Sequence, residues 1–519
     1  MKTLAIKLAF CIILLNSIKT FAQENPDTAV FTKIKNAELQ NSQIPQMAHH
    51  LTDVSGPRLT GSPGFQRAAD WATATMKHWD LGNVALEPWG NFGRSWEIQD
   101  FSLFLRLPYP QPLHAYAQPW SANTKGTVRG GVFLVTQDEE MDTTFLSRHS
   151  SAIKGKFVLI TGDTVNTANN FKPAATRYTD SDLANLKDLD MMDPATEDTI
   201  RAELRLMSRI DILLKKYGAL GLINASSGSI NGSVAVQWFD GYKIPVAETL
   251  PKVNMALEDA GRLKRLVASG QKVELSLNLS GITSTPDVKG YNVIAEIPGN
   301  DPELKAQVVM LGAHLDSWEA STGATDNGAG CLIMMEAVRL LDSLHLKPKR
   351  TIRIALWSGE EQGILGSYGY VKNHFRDPST YALKPEQSKV SVYFNMDKGT
   401  GKIRGIYAQN NPGAKAMFEQ WFKPFNNMGA ATVTLSNSGS TDHLPFDWAG
   451  IPGFNFVQDP IDYKSHTVHT NLDDYDHLLM NDLKQAAIIV ASFVYQASSR
   501  TDMVPRKPLI KERYIFDGL

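Results

Sequence analysis

The segment WSGEEQG, residues 357–363, sets Glu360 and Glu361 side by side just after the apolar run Ile352, Ile354, Ala355 and Leu356. Neighbouring side chains on a strand point to opposite faces, so beyond the strand end two adjacent carboxylates can take different tasks in one site. Other segments end in related chemistry. VVMLG runs into His314 and Asp316, GATDNGAG carries Asp326, VSVYFNM runs into Asp397, and PGFNFVQD precedes His466 and His469. Imidazoles combined with carboxylates suit a pair of divalent ions of the zinc type, with a position left open for water. One carboxylate of the adjacent pair then binds metal while its neighbour takes the proton from a metal-activated water.

Taken singly, each element has an ordinary explanation. His314-x-Asp316 fits a capped turn, a glutamate pair fits a solvated loop, Asp326 before Asn-Gly fits a turn, and Asp397 fits a helix cap. None of these explains why all the groups follow the ends of apolar runs. His345, His374 and His477 lack that placement and read as surface or helix residues. Cys331, on the helix-like stretch after Asp326, reads as core.

The elements that must position these groups form a strand, loop, helix alternation from about residue 284: GYNVIAEIPG, AQVVMLGAHLDS, AGCLIMMEAVRLLDSL, RTIRIALWSG, KVSVYFNMD, KIRGIYAQ, TVTLSNS, PGFNFVQD and a last helix near Asp482 to Gln496. Continuous apolar strands alternating with amphipathic helices indicate an α/β fold, its mixed, mostly parallel sheet sandwiched by helices. In such sheets functional groups gather beyond the carboxyl ends of the strands. Ahead of it, GTVRGGVFLVT, KGKFVLITGD and ALGLINASSG are short β-rich runs, with helical text from Ser208 to Ala219, and they read as an inserted module. The polar stretch 171–200 reads as a loop or lid of that module. The expected organisation is a leader over 1–22, an N-terminal part of the main domain over 23–125, the insert over 126–282, the main domain over 283–505 and a tail over 506–519.

The stretches GAHLDS, ATDNGAG, WSGEEQGILGS, NMDKGT and the late HT resemble the metal-binding motifs of the co-catalytic di-zinc aminopeptidase and carboxypeptidase family. GPRLTGS, HLDSW, EEQG and GSTD are most like its carboxypeptidase Q branch, over about residues 45–500. The resemblance implies a zinc exopeptidase fold, an inserted protease-associated domain and two Zn²⁺ per chain. It implies that His314 and Asp397 bind one zinc, that Glu361 and His469 bind the other, and that Asp326 bridges them. Glu360 is then the general base, and Asp316 orients His314. In relatives the peptide bond after the bridging aspartate is cis, here Asp326–Asn327. His469 fits the final ligand better than His466, with Asp473 or Asp474 as the acid that follows. Ser440, Thr441 and Asp442 are expected at the specificity pocket.

The implied activity is metal-dependent hydrolysis of short peptides as a dipeptidase or carboxypeptidase, with N-terminal cleavage as the alternative reading. A carboxypeptidase needs a cation for the substrate carboxylate, and an aminopeptidase needs carboxylates for its ammonium. Receptors of the same arrangement that lack metal ligands offer a non-catalytic binding role, which the complete ligand set here disfavours. Dimers are common among the relatives.

Composition fits this picture. A chain of 519 residues with 43% hydrophobic content exceeds one ordinary domain. A net charge of -2, from 52 basic and 54 acidic residues without a basic stripe, excludes a nucleic-acid partner. Lys2 and Lys7, the apolar run Leu8 to Leu15 and the small residues before Gln23 read as a secretory leader, hence export to a periplasm or the extracellular space. Cys11 falls in that leader, so only Cys331 of the 2 cysteines remains and no internal disulfide is expected. Nothing later in the chain reaches the length of a membrane span.

Overall fold

A computed structural model describes residues 26–161, 171–226, 231–238, 241–245, 249–509, 511 and 514. The expected leader, 1–22, lies outside them. No helix among the described residues is long and apolar enough to cross a membrane.

The first of two sheets has eight strands in the order Gly82–Asn91, Lys289–Ile297, Thr351–Trp357, Val308–His314, Val390–Asn395, Gly453–Gln458, Ile403–Tyr407 and Thr432–Thr434. Its centre, from Thr351–Trp357 to Gly453–Gln458, is parallel, and antiparallel pairs flank it. The central strands are apolar on both faces because both faces are covered. Val309, Leu311 and Ala313 belong to the core under helices Ala329–Ser343 and Met480–Ser499, while Val308 and Met310 pack with Tyr370, Phe375 and Phe446 on the other side. Helix Pro63–His78 begins where Ser62 accepts from Phe65 N, at 3.1 Å, and buries Phe65, Ala68, Ala69, Ala72 and Met76 at helical spacing.

The second sheet runs Gln111–Pro112, Ser95–Leu107, Glu274–Ser284, Val128–Thr136, Lys156–Thr161, Gly221–Ala225, Lys252–Met255 and Ala115–Ala117. This moves the expected boundary at residue 126. Ser95–Leu107 pairs along its length with Glu274–Ser284, and its Trp96, Leu103 and Leu105 share a core with Leu275, Leu277 and Leu279, so the second unit starts near residue 95. Two further expectations change. The helix expected from Ser208 runs from Pro194 to Lys216, its start capped by Asp193, which accepts from Ala195 N and Thr196 N. The stretch 171–193 is not a lid of its own module but a strap over the first sheet. Arg177 pairs with Asp459 and Asp482, Ser465 Oγ donates to Ala174 O, and Ser436 Oγ donates to Leu186 O. Such long-range polar contacts leave no periodic trace in sequence.

One buried cluster lies far from the strand ends. Glu38 is fully buried beside Glu336, and one guanidinium, Arg339, lies 4.0 Å from Glu38 Oε2 and 2.7 Å from Glu336 Oε1. Burial, then Glu336, pushes the Glu38 carboxyl up to about 9 from an ordinary 4.5. The folded chain therefore keeps a proton that the unfolded chain releases, and the linked stability, complete below 4.5, is lost as pH rises toward 9. Glu38→Gln is expected to melt like the parent at pH 5 and about 2–4 °C higher at pH 8. Thermal scans across that range check it; a pH-independent difference would rule out a proton retained on Glu38.

Candidate active site

His314 is the last residue of its strand, Asp326 lies just before helix Ala329–Ser343, Glu360 and Glu361 follow strand Thr351–Trp357, Asp397 follows strand Val390–Asn395, and His469 lies in the loop after strand Gly453–Gln458. The parallel centre of the sheet brings all of these ends to one edge. Asp326 faces both imidazoles: its Oδ1 is 3.3 Å from His314 Nε2 and its Oδ2 is 3.1 Å from His469 Nε2. Asp397 Oδ1 is 3.5 Å from His314 Nε2, and Glu361 Oε2 is 3.0 Å from His469 Nε2. The adjacent glutamates thus part company, for Glu360 turns toward His314, with Oε2 3.9 Å from Nε2.

Neighbouring groups hold this arrangement from behind. Asp316 is fully buried; its carboxylate accepts from Thr60 Oγ1 at 2.8 Å and from the amides of Glu360 and Glu361 at 3.4 and 3.3 Å. His314 Nδ1 is 3.0 Å from the Asp316 carbonyl oxygen and 3.5 Å from its Oδ1, so main chain and side chain of Asp316 both address that ring. Arg58, in GPRLTGS, donates to Leu315 O, Thr322 O and Gly323 O, tying together the loops that carry Asp316 and Asp326. Thr60 Oγ1 also accepts from Gly359 N, at 2.8 Å. Sequence reading quoted this motif without giving it a task. Asp473, not Asp474, is the acid behind the site: it accepts from Thr325 N and Asp326 N at 2.6 and 3.0 Å, whereas Asp474 caps the turn Tyr475–His477. The Asp326–Asn327 bond is cis. Asn327 bridges to Met396 O and Gly330 N, and Cys331 is buried core, its Sγ 3.1 Å from His314 O.

The expected pocket triplet divides. Ser440 lines the cavity, but its hydroxyl donates to Asp190 O at 2.8 Å. Thr441 and Asp442 are fully buried behind it, accepting from Asn395 Nδ2 and Ser367 Oγ respectively. They support the wall and do not line it, a correction that follows from Ser440's left-handed backbone, φ 51°, turning the chain inward. Residues that sequence reading missed do line it: Tyr463, Lys398, Lys464, Gln362, and from the insert Asp190, Met192, Ile200 and Leu204. The cavity measures about 480 Å³.

The donors fit a metal centre. His314 Nε2, Asp326 Oδ2 and Glu361 Oε1 are buried and make no well-directed hydrogen bond, although partners stand close. His314, Asp326 and Glu361 bring ligand atoms within 4.8 Å of one another. Oxygen and imidazole donors converging this way are what a divalent ion of the zinc type takes. Burial would keep both histidines neutral, but Glu360 and Asp397 around His314, and Glu361 around His469, outweigh it and push both pKa values well up. Burial, followed by the adjacent acids, pushes Glu360 up as well. His466 has no contact with these carboxylates among its described bonds; its main chain serves Asp462 and Thr470. His469→Ala is accordingly expected to cost at least about tenfold in metal affinity and His466→Ala almost none, measured as metal retained after dialysis.

Residues 292–494 match the model of peptidase family M28. Carboxypeptidase Q of Pongo abelii is 28% identical over 490 residues, which span 92% of this chain and 89% of that one. The crystal structure of a peptidase M28 precursor from Shewanella amazonensis superposes with a TM-score of 0.67 at 25% identity, covering 92% of this chain and 98% of the other. A zinc aminopeptidase from Bacillus subtilis shares the fold, with a TM-score of 0.56 at 21% identity over 88% of this chain and 95% of that one. Over residues 292–494 the chain is similar to peptidase family M28, and the chain is a metallo-exopeptidase.

Proposed function

We propose that the protein is an exported di-zinc exopeptidase acting on short peptides as a dipeptidase or carboxypeptidase. The observation that carries the reading is the two-sided placement of Asp326, one oxygen toward His314 and Asp397, the other toward His469 and Glu361. That division supports His314 and Asp397 holding one ion, His469 and Glu361 the other, and Asp326 both. Bound zinc supplies Lewis acidity, acidifying water in the site and polarising a carbonyl oxygen. Glu360, released from ligand duty by facing away from Glu361, takes the proton of the attacking water and returns it to the leaving amine. Asp316 keeps the His314 ring in register and, through the two amides it accepts, fixes the glutamate turn. Tyr463, buried at the cavity wall, has the phenol best suited to donate to the developing oxyanion. A cavity of about 480 Å³ suits a peptide of a few residues. The leader-like N-terminus supports export, and the second sheet, set between strands of the first, supports reading that unit as a protease-associated insert.

N-terminal cleavage is the second reading, favoured by Glu319, whose two carboxylate oxygens are buried without a hydrogen-bond partner near Glu361 and would receive an ammonium group. The test is a panel of free dipeptides, N-acetyl-dipeptides and aminoacyl-p-nitroanilides given to zinc-loaded protein of counted metal content. Cleavage of free and acetylated dipeptides is expected. Anilide cleavage alone would transfer the assignment to the aminopeptidase reading, and no cleavage of any member would remove the enzyme assignment.

A further inference from the structure

We propose that Lys398 and Lys464, gathered at the cavity wall by Asp190, are the receptor for the free carboxylate of the substrate, so that the site selects short peptides with unblocked C-termini and an apolar residue beside the strap. The inference deepens the exopeptidase reading above and rests on it.

Asp190 comes from the strap, not from the peptidase sheet, and its main chain is fixed there. Ser440 Oγ donates to Asp190 O at 2.8 Å, and Gly439 N donates to Leu189 O at 2.7 Å. From that anchor one carboxylate holds two ammonium groups, Oδ2 at 3.3 Å from Lys398 Nζ and Oδ1 at 2.6 Å from Lys464 Nζ. All three side chains line the same cavity as Glu360, Asp397 and His469. Lys398 stands between Asp190 and the acids Asp397 and Glu360, which keep its ammonium charged, and Lys464 shares Asp190 with it. Each ammonium has three donors, so the bond to Asp190 leaves donors directed elsewhere. Lys398 follows Asp397 directly and its side chain is only 14% exposed, whereas that of Lys464, at the rim, is 57% exposed. An exposed pair such as Lys464–Asp190 adds little to stability, and a second lysine on an already paired aspartate is not needed to hold the strap, which Arg177 ties to Asp459 and Asp482.

The rest of the wall has the opposite character. Met192, Ile200 and Leu204 from the insert meet Ile364 and Val468 from the peptidase part. Two lysines next to an apolar wall and a hydrolytic centre fit a substrate whose carboxylate and apolar side chain lie close together, as they do on a terminal apolar amino acid. An ammonium group at the same place would meet two like charges.

The experiment compares an apolar free dipeptide, such as leucyl-phenylalanine, with its C-terminal amide on zinc-loaded full-length protein and on Lys464→Met, Lys464→Arg and Lys398→Met. The unaltered enzyme is expected to favour the free acid in kcat/KM by on the order of 10- to 100-fold, the strength of a charge-assisted contact. Lys464→Met should erase much of that preference through KM on the free acid, leave the amide unchanged, and be rescued in part by Lys464→Arg. Lys398→Met should act in the same direction. Equal losses on acid and amide, or an unaltered enzyme without preference, would overturn the proposal while leaving the peptidase reading intact. If neither peptide were turned over, the peptidase reading would fall. Calorimetric titration of both peptides into Glu360→Gln protein then decides the lysine contact alone: tighter binding of the free acid, lost in the Glu360→Gln/Lys464→Met double variant, supports it, and equal binding of acid and amide overturns it.

Discussion

Glu360→Gln is expected to lower kcat by about 10²–10⁴-fold on every peptide the enzyme cleaves, the span attributed to a positioned general base, with metal content and KM close to the parent's. The expectation depends on the separation of the adjacent glutamates. Glu361 contacts His469 and is the proposed ligand, while Glu360 stands 3.9 Å from His314 Nε2 with an 11% exposed side chain open to the cavity. Glutamine keeps the shape and the main-chain amide that Asp316 holds, and removes only the ability to take a proton. Glu361→Gln must behave differently, losing metal before it loses chemistry. Kinetics and metal counts on the two variants give the check. If both lose metal alike, or if Glu360→Gln keeps more than about a tenth of parental kcat, Glu360 is not the base.

The contrast also shows which parts of the site can be read without coordinates. The ligand candidates were legible because each follows an apolar run that could only be a buried strand, and parallel strands bring their ends to one edge. Adjacency alone could not say which glutamate faces which imidazole, since past the strand end the turn over residues 358–364, not the pleat, sets direction. The supporting shell was opaque for another reason. Arg58 and Thr60 act across more than 250 residues of chain, and GPRLTGS taken locally is only a turn followed by a capped helix. The choice between Asp473 and Asp474 was hidden likewise, because a buried acceptor for Asp326 N and a turn cap have the same local sequence.

The fold divides along the same line. Periodicity identified the strands and helices of the peptidase part, whereas strand Ser95–Leu107 fell inside the 23–125 segment expected to belong to the main domain. It could not assign that strand to the second sheet, because the pairing partner, Glu274–Ser284, lies on the far side of the insert. The strap was misread because its contacts with Asp459, Asp482 and Ser465 are made by side chains and turns, and a polar, aperiodic stretch looks the same free or pinned. The consequence is functional, since the strap carries Asp190 and Met192 to the cavity wall.

Stripping the metal with a chelator is expected to abolish hydrolysis, with readdition of zinc restoring it, and to lower the melting temperature by an amount that grows with pH. In the stripped protein Asp326, Glu360, Glu361 and Asp397 are buried close to His314 and His469. Burial opposes charge on the two imidazoles, but the carboxylates outweigh it and raise both above the ordinary 6.5. Protons thus stand in for metal. For groups whose folded-state pKa is raised, the stabilisation is complete below 6.5 and fades as pH climbs through the raised values. Metal binding runs the other way, since each histidine must release its proton to become a ligand, so affinity strengthens over the same interval. At a free zinc concentration 100 to 1,000 times Kd, binding adds about 2.7–4.1 kcal/mol to stability. The gap in melting temperature between loaded and stripped protein should therefore be small at pH 5.5 and wide at pH 8. A gap that stayed constant, or narrowed with rising pH, would mean that protons and metal do not compete for His314 and His469, and the assignment of those two residues as ligands would have to be given up.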